Sequence, residues 1–375
     1  MRWAVHLSQL NEGRPMKQIS RDVLAHARAY AAIAAVPASL VLVLAWTSGW
    51  IGPKPVSGAH VSDGLEYNAG SHPGYRRAHA KGLCFTGQFE ANGKGGRLSK
   101  ASHLRAGTYP LEGRFSIAGG NPLAPDGRNV FHSMALILHG NDGQQWRMAL
   151  DHAEIFPVAD VASFVDLQRA SRPLPDTGKP DPQLMQAFLA NHPETRAFQA
   201  YMQANPLPHA FTNGAYHSIN AFRFTNAQGQ ERLVRWSMQP EDRLSELDKA
   251  SLSRLPGNAV FDKTRKRLTR GPARWRMVVT IAEPDDITDN ATIAWPADRE
   301  TVEVGTLTVS AALPEADGAC RDLIFDPTIL PAGIKPSADP LLAARAAAYA
   351  SSFRRRAAEG TRPALLQPSA PAGME

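Results

Sequence analysis

Cysteine is scarce: Cys84 and Cys320 are the only two in 375 residues. Two are too few for a disulfide framework and do not form a metal-ligand pair by spacing, so they read as two buried thiols. No Cys-x-x-Cys-His run is present, which excludes thioether attachment of a prosthetic group. A concentrated basic patch is also missing. The 41 Lys and Arg against 35 Asp and Glu give a formal charge of +6, but they are scattered along the chain without an aromatic-basic array. Nucleic acid is therefore not an expected partner. No internal repeat is visible, and strands and helices do not alternate in the doubly wound manner. With 43% hydrophobic and 20% charged residues, the chain is a folded polypeptide able to bury one large core or two ordinary ones.

Charge is absent altogether from residues 29–53, where Ile33, Val36, Leu40, Val41, Leu42, Val43, Leu44 and Trp46 make a run long enough to span a bilayer. Pro37 interrupts it, which a membrane helix tolerates. Trp46 and Trp50 stand where an interfacial aromatic belt would fall. Arg2, Arg14, Lys17, Arg21 and Arg28 precede the run, whereas Lys54 is the only early cation after it. The charge asymmetry predicts a cytoplasmic segment over 1–28, a single transmembrane anchor over 29–50, and a catalytic domain on the periplasmic or extracytoplasmic side. The small-residue run Ser57-Gly58-Ala59 would suit signal cleavage, but it lies well past the apolar segment, so an uncleaved anchor is favoured.

Residues 51–72, rich in Pro, Gly, Ser and His, read as a linker. Alternating patterns then predict strands at 79–89, 108–117, 131–138 and 146–156, the last two joined by the turn signal His139-Gly140-Asn141-Asp142-Gly143. Helical periodicity occupies 182–205 and 241–255; further strands fall at 218–224, 233–238, 275–282 and 301–311. The class is α+β, with successive antiparallel strands able to close a barrel. The last element has the clearest limits. Asp339 is an N-cap, Pro340 takes the first helical position, alanines fill the interior, Arg354, Arg355 and Arg356 end it, and Gly360 follows. Residues 359–375, Pro- and Ala-rich, read as a disordered tail.

On that last helix Arg345, Tyr349, Ser352 and Arg356 stand at i, i+4, i+7 and i+11 and share a face. A phenol binds ferric iron as the phenolate, and a guanidinium one turn away favours that anion. Arg356 can reach an anionic ligand as a bidentate donor.

Several separate segments carry a resemblance in their order along the chain. Arg76-Arg77-Ala78-His79-Ala80-Lys81-Gly82 resembles the distal histidine segment of haem catalases. Arg114-Phe115-Ser116 resembles the strand that places a propionate arginine and a serine beside that histidine. Phe325-Asp326-Pro327-Thr328, followed by Asp339-Pro340-Leu341-Leu342 through Arg345 and Tyr349 to Arg356, resembles their proximal helix. Asn220-Ala221-Phe222-Arg223-Phe224 and Ala294-Trp295-Pro296 are similar to the small catalase-related peroxidases in particular. The resemblance covers residues 73–358.

It implies a catalase-like haem barrel with surrounding helices, holding haem b. His79 would be the distal acid and base, Ser116 would orient its ring, and Tyr349 would be the axial ligand with Arg345 as charge partner. Arg76, Arg114 and Arg356 would take the propionates, and Phe164 would lie against the distal haem face. Where the large catalases place an asparagine that donates to bound peroxide, aligning Trp146 and Phe156 gives His152, with Asp151 before it. That change, and the lack of room for a C-terminal helical region with its NADPH site, favour a peroxidase. It would reduce organic hydroperoxides or hydrogen peroxide with small organic donors. A true catalase and a non-catalytic haem-binding protein are the rivals.

Overall fold

The structure, a computed structural model, describes residues 16–47, 51, 56–128, 131–245, 251, 254–255 and 257–360. It divides into two compact units, Met1–Pro55 and Val56–Glu375. In the first, α1 (Met16–Thr47) carries Pro37 inside the helix. Its window Ala29–Trp46 has a mean hydropathy of 2.0, long and apolar enough to cross a membrane, a property that a signal sequence shares. The expected tail beyond residue 360, most of the expected cytoplasmic segment, and Trp50 lie outside the described residues.

The second unit is built on antiparallel strands: β1 (Gly82–Ala91), β2 (Gly107–Ile117), β3 (His132–His139), β4 (Gln145–Asp151), β5 (Tyr216–His217), β6 (Phe222–Thr225), β7 (Glu231–Pro240), β8 (Ala273–Ile281), β9 (Thr301–Pro314) and β10 (Ile334–Pro336). Their order is β10-β6-β7-β5-β4-β3-β2-β1-β9-β8, and β7 also pairs with β8. That last ladder, Val234 opposite Ile281 through Pro240 opposite Trp275, closes the sheet. Since β5 and β6 lie in succession along β7, the ring has eight strand positions. Closure removes the open edges at which another chain could pair.

Period-two alternation decides what faces where. On β8, Ala273, Trp275, Met277, Val279 and Ile281 are buried, whereas Arg274 and Arg276 are exposed. The core fills the barrel with Trp146, Trp275, Tyr216, Phe89, Phe115 and their neighbours. β2 differs because both its faces are covered at one end. Phe115 joins the core, stacked on Phe211 at 5.3 Å, and Arg114 and Ser116 point the other way yet are also buried.

What covers them is helical. α2 (Gly58–Ala69), α3 (Val161–Ala170) and α7 (Pro340–Ala358) pack together over this side, with α4 (Pro182–Asn191), α5 (Thr195–Ala204) and α6 (Ala259–Leu268) elsewhere. The expected linker therefore contains a helix. Ser57 caps α2, accepting from the His60 backbone at 3.3 Å. Gly58 lets α2 approach α7 so closely that a Cβ there would sit 2.1 Å from the Ala347 carbonyl oxygen. Ser62 donates to Ser351 across the crossing at 2.9 Å.

The expected strand at 146–156 stops at Asp151, where the chain leaves the ladder and Phe156 donates to the Ala291 carbonyl at 2.8 Å. The expected strand at 218–224 begins only at Phe222, because Ile219 has φ 61°. Residues 241–245 are not helical, most of 246–255 lies outside the described residues, and the helix of this region is α6. The two cysteines are not thiols. Cys84 and Cys320 form a disulfide across 236 residues, because β1 pairs with β9 and brings the chain just after β9 beside it.

Candidate active site

A cavity of about 390 Å³ lies between the outer face of β2–β4 and the helices α2, α3 and α7. Strand alternation delivers Arg114 and Ser116 from β2, Ser133 and Ala135 from β3, and Ala149 and Asp151 from β4 to its wall. Helix α7 contributes Arg345, Tyr349, Ser352 and Arg356, the face expected from their spacing. Phe164 of α3 lines it as well, stacked on Phe156 at 5.8 Å. Much of the remaining wall is apolar, including Val61 and Leu65 of α2.

His79 enters from the loop between α2 and β1. Its φ of 54° is left-handed, which for a non-glycine residue costs about 1–3 kcal/mol and persists only where the surroundings hold it. Ser116 Oγ lies 3.3 Å from His79 Nδ1, a hydrogen-bonding contact between hydroxyl and ring. Burial, chiefly, pushes the imidazole down to about 4 from its ordinary 6.5; Asp151 opposes this, and Arg114, Arg345 and Arg76 add to it. The ring is thus neutral at physiological pH, with a nitrogen lone pair to accept a proton.

Arg345 donates to Asn220 Oδ1 at 2.7 Å and to the Ala149 carbonyl at 3.0 Å. Asn220 in turn donates to Asp339 Oδ2 at 2.8 Å, and the other oxygen of Asp339 caps α7 at the Leu341 amide, 2.9 Å. The helix start and the arginine beside Tyr349 are therefore one network. Among the described residues none hydrogen-bonds the Tyr349 hydroxyl, although the residue packs against the hydrophobic cluster of Cys84, Ile137, Cys320 and Phe325.

The other arginines are engaged on one loop. Arg114 Nη2 is 2.6 Å from Glu315 Oε2, and Arg76 Nε is 3.6 Å from Glu315 Oε1. Arg76 Nη2 also donates to the carbonyls of Cys320, Arg321 and Leu323 at 2.8, 3.0 and 3.0 Å. Arg356 Nη1 donates to Arg321 O at 3.1 Å. Gly82 makes room for Arg114, since a Cβ there would fall 2.2 Å from its guanidinium carbon.

His152 is not in the cavity wall. Its neighbour Asp151 is, taking a hydrogen bond from Ser133, while His152 turns to the opposite face, accepts from the His132 amide at 3.2 Å and packs on Phe131. Sequence reasoning thus placed a titratable residue correctly by region and wrongly by one position. It also missed Glu315, and named Asn220 only as part of a motif. A carboxylate following a strand and a lone amide carry no periodic signal.

The residues present suit a haem. The wall joins an apolar surface to a cluster of guanidiniums, Arg114 Nε is buried without a hydrogen-bond partner, and the phenol oxygen of Tyr349 is unengaged by any described residue. A flat apolar macrocycle with anionic propionates and an iron that takes an oxygen ligand has that chemistry.

The sequence pattern of the family described as Catalase matches residues 46–371. The chain is 37% identical over 319 residues to a catalase-related peroxidase of Synechococcus elongatus, covering 85% of this chain and 94% of that protein. It is 32% identical to a catalase-related peroxidase of Mycolicibacterium paratuberculosis, covering 78% and 93%. Among solved structures, catalase A from Saccharomyces cerevisiae superposes with a TM-score of 0.69 at 17% identity, over 76% of this chain and 62% of that one. A bacterial catalase superposes with a TM-score of 0.68 at 22% identity, over 81% and 62%. The chain spans about three fifths of these solved catalases.

Proposed function

The chain belongs to the catalase family, and from that premise we propose that it is a haem b peroxidase, reducing hydrogen peroxide or organic hydroperoxides with small organic electron donors. The observation that carries this reading is one cavity lined by both His79, held by Ser116, and Tyr349, with Arg345 on the same helical face. Tyr349 would hold the iron, and Arg76, Arg114 and Arg356 the propionates.

Haem supplies, when bound, the redox chemistry that breaks the O–O bond. The chain's own residues handle protons and place. His79, neutral above about pH 4, accepts the hydroperoxide proton at one oxygen and returns it to the other, which leaves as water or alcohol. Ser116 holds the ring for both transfers. Phe164 and Phe156 keep bulk water from that side. Asp151, rather than His152, lines the cavity, and a carboxyl side chain lacks the amide N–H with which the asparagine of large catalases donates to peroxide. That supports peroxidase over catalase, as does likeness along nearly the whole length of proteins named catalase-related peroxidase.

The apolar window in α1 and the charge asymmetry around it support a single-pass anchor with the catalytic domain outside the cytoplasm. The disulfide agrees, since such crosslinks persist in oxidising compartments.

Haem titration of the purified full chain tests the ligand assignment. Wild type is expected to form a stable Soret-absorbing complex, and Tyr349→Phe to lose haem on gel filtration or to shift the band. An unchanged spectrum and retention in the variant would remove Tyr349 as ligand.

A further inference from the structure

We propose that the Cys84–Cys320 disulfide is a positioning device, which holds the loop 315–323 so that Arg76, Arg114 and Arg356 face the anionic edge of the haem. The inference rests on the haem reading above and adds the element that aims its arginines.

Three guanidiniums from distant parts of the chain converge on this loop. Arg76 precedes β1, Arg114 lies on β2 and Arg356 on the last turn of α7. Their acceptors are the Glu315 carboxylate and the backbone carbonyls of Cys320, Arg321 and Leu323. A carbonyl acceptor is only as fixed as the chain that bears it. Here that chain contains a single 3-10 turn, Ala319–Arg321, and no strand ladder. The covalent tie to β1 fixes it instead. Cys84 and Cys320 are both buried, with Cα atoms 5.4 Å apart, and Gly318 lies so close that a Cβ would stand 2.3 Å from Cys84 Sγ.

A guanidinium donates in a rigid planar fork. Turning one arm away from its carbonyl swings the other, so a loop displaced by the width of a bond re-aims all the donors that reach past it into the cavity. Tyr349 packs against the small hydrophobic cluster that contains both cysteines, so the crosslink and the ligand side of the cavity share that cluster.

The discriminating probe is a pair of porphyrins: ferric haem, and its dimethyl ester, in which both propionates are neutral. The full chain is titrated with each, as wild type and as Cys84→Ala/Cys320→Ala, and affinity is read from the Soret band. The double variant is expected to bind haem about tenfold or more weakly, the loss of one hydrogen bond to a charged group, while its affinity for the ester is unchanged. An equal fall for both porphyrins means that the crosslink only stabilises the fold, and no fall for haem means that it does not aim the arginines; either overturns the proposal. Should the double variant not fold, the same two titrations are made on wild type reduced to the dithiol, which opens the crosslink without a substitution. A fall for haem alone supports the proposal, and an equal fall for both porphyrins, or none for haem, overturns it. A wild type that binds neither porphyrin would instead refute the haem reading itself.

Discussion

His79 and Ile219 are the two non-glycine residues with left-handed backbone among those described, and both line the cavity. Local sequence preference would place neither there, least of all a β-branched isoleucine. Such conformations concentrate where a fold trades local comfort for the position of a side chain. For Ile219 that side chain is its neighbour's, Asn220, which reaches both Arg345 and Asp339. The slip between His152 and Asp151 has an equally local cause. On a strand, one residue of register exchanges the two faces, and the weakly anchored stretch after Trp146 gave no means to choose between them. Asp151 also yields a prediction with a definite sign. It is the carboxylate that raises the proton affinity of His79 against burial and three arginines, so Asp151→Asn should lower the His79 titration below its value of about 4. Following the imidazole resonance through acid pH would show it. A titration that stays in place or moves up would mean that Asp151 does not act on His79.

Among elements, α7 was legible from end to end because its signals are local: an N-cap, a proline at the first position, basic residues at the end and a C-terminal glycine, Gly360, at φ 78°. α2 was not. Its sequence holds two glycines and reads as linker, and it becomes a helix by packing on α7 and α3, information that lies outside its own residues. The disulfide was illegible for the same reason, since nothing in a separation of 236 residues announces that β1 and β9 are neighbours. The N-cap itself does more than start a helix. Asp339→Ala removes the cap, worth about 1 kcal/mol, and strands the buried Asn220 amide, worth about 1–3 kcal/mol more. The urea midpoint should fall accordingly. A loss no larger than that of an ordinary exposed cap would contradict the coupling of cap and cavity.

At the scale of the whole molecule, alternation in the sequence foretold antiparallel strands and a barrel, and the β7–β8 ladder closes it. What alternation could not foretell is that the cavity proposed to hold the haem lies outside the barrel, between its wall and three helices. The aromatic interior is a packed core that makes the wall rigid, and β2 to β4 present their outer residues to the cavity. His79 and Tyr349, separated by 270 positions, meet at one cavity through that arrangement. The most direct measurement is turnover of the haem-loaded full chain with peroxide and a phenolic donor, with donor oxidation and oxygen release recorded together. Wild type should oxidise the donor in proportion to peroxide and release little oxygen. His79→Ala should keep its Soret band and lose at least about a hundredfold of the rate, the lower end for removing a general acid and base. Oxygen release from peroxide alone at comparable rate, or donor oxidation that survives in His79→Ala, would contradict the account.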